Sequence, residues 1–447
     1  MHSLPWTDAM KIPDRFSPAS AMSAPRAVEQ RSLIALVQVL GLSVWFSATA
    51  VVPSLRGEWG LGSTAAGWLT ASVQIGFAAG AIVSAALNLA DRIKPQHLLA
   101  VSSGGAAACT ALLACLANGL AAAIPLRFLT GVALAGVYPV GMKLMASWSG
   151  SANRGRSFGI LIGALTLGSA VPHLITGLGP LPWRTVMATG AVLCAAAAVI
   201  ALKAIRPGPY LQTTVGGRNP RYALTMFAER GLRLTNLGYF GHMWELYALW
   251  TWLSMFILAG RQERGDDAGT LAGIITFSAI GVAGVAGSLL GGWASDRVGR
   301  RPTAVAALTI SGACCVASPF FFAAPTLVLV LFLTVWGAAV IADSGVFSTS
   351  LSERADARFV GTALTAQTAI GFMLTVATIH LVPIAAGLLG WRYAFLLLAP
   401  GPVLGALAMA ALPNFPTSNT TQEERTDVHQ FPESLQPASA SVCRSGR

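Results

Sequence analysis

The chain has 447 residues, of which 54% are hydrophobic and only 11% charged, with a formal charge of +11 and a mean hydropathy of +0.63. A soluble globular protein carries about a quarter charged residues, so this deficit excludes a water-facing surface over most of the molecule. The basic residues form no patch interleaved with aromatics, which argues against nucleic-acid binding; they sit in short gaps between apolar stretches, where membrane topology determinants lie.

A helix needs about 20 apolar residues to cross the hydrocarbon core, because only a backbone that satisfies its own hydrogen bonds survives there. Residues 1–32 are polar, with several prolines and no apolar signal region, and read as a disordered cytoplasmic tail. Six apolar stretches follow, Leu33 to Leu55, Ala65 to Ala90, Leu98 to Leu116, Ala122 to Trp148, Phe158 to Leu178 and Thr185 to Ala204, giving a first bundle over 33–204. The one long polar connection, 205–236, reads as a cytoplasmic linker. Six more stretches, Leu237 to Leu258, Leu271 to Leu290, Thr303 to Phe322, Leu327 to Phe347, Val360 to Gly387 and Tyr393 to Leu412, give a second bundle over 237–412. The polar residues 413–447 read as a second disordered cytoplasmic tail. The fold class expected is an all-α membrane protein with twelve transmembrane helices in two pseudo-symmetric six-helix bundles.

With the N-terminus inside, roughly sixteen Lys and Arg residues fall in inner loops against five in outer loops, so both termini are expected to be cytoplasmic, in the cell (inner) membrane. Internal repetition supports the pairing of halves. Asp91-Arg92 matches Asp296-Arg297 at an offset of 205, Arg154 matches Arg358 at 204, and Trp183-Arg184 matches Trp391-Arg392 at 208. Gly76, Gly80, Gly131, Gly136, Gly281, Gly284 and Gly287 are expected to let helix backbones approach closely. The six cysteines show no metal-binding spacing and read as free thiols.

The eighth stretch ends in Gly292-Trp-Ala-Ser-Asp296-Arg297-Val-Gly299-Arg300-Arg301-Pro302. This resembles the G-x-x-x-D-R-x-G-R-R loop motif of the major facilitator superfamily, which occurs once in each half. The first copy is degraded: Asp91 and Arg92 remain, Leu87 stands where the glycine would be, and Lys94-Pro95 replace Gly-Arg. The resemblance implies that Asp91, Arg92, Gly292, Asp296, Arg297, Gly299 and Arg300 form cytoplasmic gates that clamp the bundle ends in one state. Arg127 through Gly131 resembles the superfamily's R-x-x-x-G pattern, whose arginine is implicated in proton coupling, while Gly168 to Pro172 matches the antiporter motif only loosely.

Ionisable groups inside a span are costly and need a partner or a wet cavity. Arg127 is read either as coupling protons or holding an anionic substrate, or as one half of an interhelical structural pair. Tyr239, His242 and Glu245 recur every three residues, so they are expected to share a helical face, with His242 and Glu245 as a proton-shuttling pair. Asp343 aligns with Tyr138 by the repeat offset and reads as a proton site, an inner gate or a structural pair. His173 and His380 read first as packing residues, and Gln38 and Gln74 as neutral hydrogen-bonding groups.

The function this supports is a secondary active transporter moving a small solute by alternating access, with an organic or inorganic anion favoured and proton coupling expected. No GxxxxGK[ST] loop is present to bind ATP, and neither HExxH nor GxSxG appears, so an enzyme is not expected. The alternatives are proton-driven efflux of amphiphilic compounds and a non-transporting membrane receptor. Expected partners are a small-molecule substrate, protons and the bilayer, with no cofactor, metal or nucleic acid, and a monomer as the working unit.

Overall fold

The structure, a computed structural model, describes residues 24–149, 154–179, 181–211, 222–266, 269–356 and 358–413. Every regular element among them is helical. The first half comprises α1 (Ala24–Leu42), two short pieces α2 (Ser47–Ala50) and α3 (Val52–Trp59), α4 (Ser63–Leu87), α5 (Leu89–Arg92) and α6 (Pro95–Leu116), then α7 (Leu120–Leu134), α8 (Tyr138–Ser147), α9 (Arg154–Gly177) and α10 (Trp183–Lys203). The second half opens with α11 (Tyr222–Ala228), α12 (Arg230–Glu263) and α13 (Gly269–Phe277), the last continuing through a π-helical turn at Ser278–Ala283 into α14 (Gly284–Arg297). It closes with α15 (Arg300–Phe321), α16 (Thr326–Ala342), α17 (Ser344–Arg354), α18 (Val360–Leu389), α19 (Trp391–Ala394) and α20 (Pro400–Ala410), the last two joined by a 3-10 turn at Phe395–Leu398.

Helix boundaries follow residues that cannot continue a helix or that end one cheaply. Pro95 opens α6 at a position where no amide donor is needed, and Asn88 (φ 50°) ends α4 in the left-handed conformation that asparagine tolerates. Ten helical segments among the described residues are long and apolar enough to cross a membrane, and they fall within a few residues of ten of the twelve expected stretches. The two others depart for identifiable reasons. The expected Leu33 to Leu55 span is interrupted at residues 43–46, and its helix starts at Ala24, inside the segment assigned to the tail. The expected linker is partly helical, since α12 begins at Arg230 rather than Leu237 and α11 precedes it. Leu232, Thr235 and Asn236 are buried there, with Asn236 accepting from the Gln367 amide at 2.9 Å, so this polar stretch packs inside the protein. Residues 1–23, 212–221 and 414–447, which hold most of the expected tails and linker, lie outside the described residues.

The helices pack in matching pairs. In the first half α6 lies on α10, α4 on α7, and α1 on α9 and α10; in the second α15 lies on α20, α14 on α16, and α12 on α18 and α20. Across the halves, α4 meets α18, and α9 meets α13 and α14. Small residues set these approaches, as the glycine pattern anticipates. A Cβ on Gly131 would meet the Val73 carbonyl and stand 2.8 Å from the Phe77 nitrogen, while one on Gly287 would meet the Ala338 backbone of α16. Gly281 and Gly284 instead turn to Ala170 and Thr166 of α9, on the seam between the halves. Cys109, Cys115, Cys194, Cys314 and Cys315 are free thiols, and Cys443 lies outside the described residues.

Because backbone atoms, not flexible side chains, crowd Gly131, Gly131→Leu is expected to lower stability by about 1–3 kcal/mol or more through overpacking of α4 against α7. Gly57→Ala, which meets nothing within 4 Å, should be neutral. Thermal unfolding of the detergent-purified protein measures the difference.

Candidate functional site

Arg127 sits in α7, fully buried. Its partners among the described residues are backbone carbonyls and one hydroxyl. Nε donates to the Leu69 carbonyl at 3.0 Å, Nη1 to the Val44 carbonyl at 2.9 Å and the Ser47 hydroxyl at 3.5 Å, and Nη2 to the Trp45 carbonyl. Val44 and Trp45 belong to the break between α1 and α2, where helix carbonyls lose their usual amide donors. The rigid fork of a guanidinium suits such divergent acceptors. Its donors thus go to carbonyls and a hydroxyl, and among the described residues no acidic partner pairs with it.

The break presents two rings to the centre of the molecule. Trp45 lies 5.0 Å from Phe77 of α4, 5.9 Å from Tyr247 of α12 and 5.7 Å from Phe372 of α18, centroid to centroid. Phe46 lies 6.0 Å from Tyr247 and 5.7 Å from Trp250, and Phe77 lies 4.4 Å from Phe372. Rings from both halves thus close on one another in the offset and edge-on arrangements that aromatic quadrupoles favour. Sequence reasoning did not single out Trp45, Phe46, Phe77 or Phe372. Phe77 and Phe372 come from helices, and Trp45 and Phe46 from the interruption of a stretch, that all read simply as apolar spans, so only contacts between distant segments reveal the cluster.

His242, Glu245 and Asp343 are all buried, but they do not form one group. His242 Nδ1 stands 2.8 Å from Asp343 Oδ1, and its Nε2 lies 2.9 Å from the Ser344 hydroxyl. Asp343 and Ser344 mark the break between α16 and α17, just as Tyr138 opens α8 after the break from α7, so the repeat alignment of Asp343 with Tyr138 corresponds to equivalent helix breaks. Glu245 is elsewhere: its Oε1 accepts from Ser311 at 2.6 Å, Cys315 at 3.3 Å and the Trp336 indole at 2.6 Å. The expected His242 and Glu245 pair is therefore replaced by His242 with Asp343, and Glu245 ties α12 to α15 and α16. Tyr239 packs its ring over Gly371 of α18 and beside His242 and Phe347.

His173 and His380 serve interhelical contacts. His173 Nδ1 lies 3.1 Å from Ser254 Oγ, itself 3.0 Å from Thr276 Oγ1, linking α9, α12 and α13. His380 Nδ1 lies 2.8 Å from the Val376 carbonyl, and its ring is 4.6 Å from Trp68.

The motif residues stand at one end of the seam. Gly292 faces Gly155 and Gly159 of α9, and the Asp296 carboxylate lies directly over Gly155, where any Cβ would collide with it. Arg300 donates to Glu353 at 2.8 Å and to Ser295 at 2.8 Å, and lies 3.5 Å from Asp296. Arg297 stacks over the Trp293 ring at 5.6 Å, and Gly299 adopts φ 103°, which lets α15 begin without strain. In the first half the Asp91 side chain lies outside the described residues and Arg92 is exposed, while Lys143 donates to the Ala90 carbonyl at 2.6 Å. At the far end of the seam Gly177 packs on Gly273, so the halves meet at both ends of the α9 and α13–α14 contact. Arg261 was also missed in the sequence; it is buried at the end of α12 and donates to Thr326 at 2.9 Å and to the Ala324 carbonyl.

If Arg127 clamps the helix break, Arg127→Met should leave the Trp45 carbonyl without its donor at about 1–3 kcal/mol and lower the melting temperature in the absence of any solute, the Val44 carbonyl keeping its bond from the Ser47 hydroxyl. Arg127→Lys should recover only part, because an ammonium reaches fewer of the divergent acceptors. A Met variant with unchanged thermal stability and impaired solute binding would instead make Arg127 a ligand.

The Major Facilitator Superfamily profile matches residues 34–378 and 235–446. The chain is 26% identical over 303 residues to the gallate transporter of Pseudomonas putida, covering 60% of this chain and 65% of that one. It is 25% identical to the niacin transporter NiaP of Acinetobacter baylyi, covering 68% and 74%, and 25% identical to the probable sulfoacetate transporter SauU of Cupriavidus necator, covering 57% and 61%. The chain thus spans less than two thirds of the length of two of these three relatives. Among solved structures, the human organic anion transporter MFSD10 (TETRAN) superposes with a TM-score of 0.68 at 15% identity, and the nucleoside transporter NupG with 0.67 at 16%, each match covering 86% of this chain and 100% of the other. These likenesses show the fold. The chain is an integral membrane protein that belongs to the Major Facilitator Superfamily.

Proposed function

We propose that the chain carries a small organic anion with an aromatic ring across the cell membrane by alternating access, coupled to a proton held on His242 and Asp343. The observation that carries this reading is that α12 bears both Tyr247 and Trp250 of the aromatic cluster and His242 of the buried pair. His242 and Tyr247 are five residues apart, about 7.5 Å along a helix, so a solute ring inserted at the cluster and a proton taken at the pair act on the same rigid rod. In the closed arrangement the rings stack on one another; in an open one a solute ring takes the place of one of them.

Three further observations support it. The gallate, niacin and sulfoacetate transporters that the chain resembles are named for small organic acids, the first two aromatic. The Asp296 latch lies in a loop rich in arginine, which by the positive-inside rule is cytoplasmic, together with both termini. Asp296 over Gly155, at the start of α9, places a carboxylate where helix amide groups favour an anion, so this contact acts as the inner gate. A second reading, export of an amphiphilic compound, draws on one observation: Arg127 spends its donors on carbonyls, leaving the aromatic cluster without that cation.

The test is uptake into proteoliposomes holding the purified full-length protein under an inward proton gradient. His242→Gln and Asp343→Asn should abolish gradient-driven accumulation of an aromatic acid while preserving solute exchange. Glu245→Gln should keep accumulation, since its amide oxygen can still accept from Ser311, Cys315 and Trp336. Uncoupling by Glu245→Gln alone would overturn the assignment of the proton to His242 and Asp343, and outward pumping of hydrophobic cations would favour the second reading.

A further inference from the structure

Gln74 lies in α4 with no solvent exposure, and neither its amide oxygen nor its amide nitrogen has a hydrogen-bond partner among the described residues. An amide offers two donors and an acceptor with two lone pairs, and burying all of them unmet is unfavourable enough that it is rare. The Gln38 and Gln96 amide oxygens are also buried without a partner, but Gln74 lacks one on both its oxygen and its nitrogen, whereas other buried amides do donate. Gln367 donates to Asn236 at 2.9 Å, Asn236 donates to the Leu232 carbonyl at 2.8 Å, and Gln38 donates to the Val137 carbonyl at 3.2 Å.

The position of Gln74 on its helix explains what it faces. Residues four apart share a face. Thr70, one turn earlier, bonds Thr49 at 2.6 Å; Phe77, one turn later, stacks 5.0 Å from Trp45 and 4.4 Å from Phe372 of the other half. Gly67, two turns earlier, lies against Trp252 and His380, also of the other half. Gln74 therefore stands on the face of α4 that meets the second half, one turn from the aromatic cluster. That cluster holds a second unmet donor, the buried Trp45 Nε1, while Arg127 directs its donors to Leu69, Val44 and Trp45 carbonyls.

We propose that Gln74, together with Trp45 Nε1, recognises a hydroxyl group on the ring of the transported solute. The inference rests on the aromatic-anion reading and adds the determinant that selects among such anions. A primary amide donates and accepts at once, which matches a phenolic hydroxyl, and being neutral it leaves the carboxylate to be recognised elsewhere. A site built to bond a hydroxyl discriminates against the analogue that lacks it, because its own polar groups are then left unpaired.

The probes are benzoate and 4-hydroxybenzoate, compared by initial uptake rates in proteoliposomes of the full-length protein and by quenching of tryptophan fluorescence in detergent. The wild type should prefer the hydroxylated acid by about tenfold in KM, the scale of one net hydrogen bond. Gln74→Leu should raise KM for 4-hydroxybenzoate about tenfold and leave benzoate unchanged, erasing the preference. Gln74→Asn, which keeps the amide but shortens its reach, guards against a folding failure of the Leu variant and should weaken the preference to an intermediate degree in the fluorescence titration. Equal losses for both acids would mark Gln74 as structural, and a wild type that moves both acids without preference would overturn the inference alone. A wild type that neither binds nor moves either acid would overturn the aromatic-anion reading and this inference with it.

Discussion

The guanidinium of Arg127 is spent on backbone carbonyls at an interruption of the first helix. Residues 43–46 interrupt the first span, and a break inside a membrane helix leaves carbonyls without their usual amide donors. Arg127 meets two of them and the Leu69 carbonyl besides, from a helix packed against α4 through glycine. The aromatic cluster depends on that clamp, because Trp45 and Phe46 project from the held segment and not from a regular helix. A charge commonly taken as a mark of ligand binding can thus be consumed by backbone. The informative question about a buried arginine is how many acceptors already surround it.

Much of the fold was legible in the sequence, for a physical reason: a bilayer imposes one length scale and one composition on each crossing. Ten of the helices fall where the apolar stretches lie, and the glycines at 76, 80, 131 and 287 do pack against backbone. The failures come where polar residues serve the interior. The first span reads as continuous because Ser43, Val44, Trp45 and Phe46 are acceptable in a membrane helix, and nothing local in that tetrad signals that Arg127 bonds its carbonyls. The linker was drawn to Asn236 because polar residues look like loop, whereas Asn236 and Gln367 satisfy each other inside.

The candidate site was less legible, and α12 shows why. A spacing of three residues turns a helix by 300°, not 360°, so Tyr239, His242 and Glu245 walk around the helix by about 60° a step. One such step of about 60° lies between His242, which meets Asp343 and Ser344 at the α16–α17 break, and Glu245, which meets Ser311, Cys315 and Trp336. Period alone could not divide them; the three donors around Glu245 come from helices some 66 to 91 residues later in the chain.

The two halves repeat in packing but differ in where their buried charge lies. Both fourth helices of the halves break, at Tyr138 and at Asp343; at the second break a carboxylate faces an imidazole, whereas in the first half the buried guanidinium of Arg127 lies eleven residues before Tyr138 and is bonded to carbonyls. The donors of Arg127 are committed to backbone and hydroxyl oxygens, whereas in the proposed reading His242 and Asp343 together hold the transported proton. Division of labour follows from those side chains. In the proposed reading the first half supplies a fixed wall, held by Arg127, and the second supplies the element whose charge state changes. That element also carries two rings of the aromatic cluster, so the half that takes the proton is the half that grips the solute.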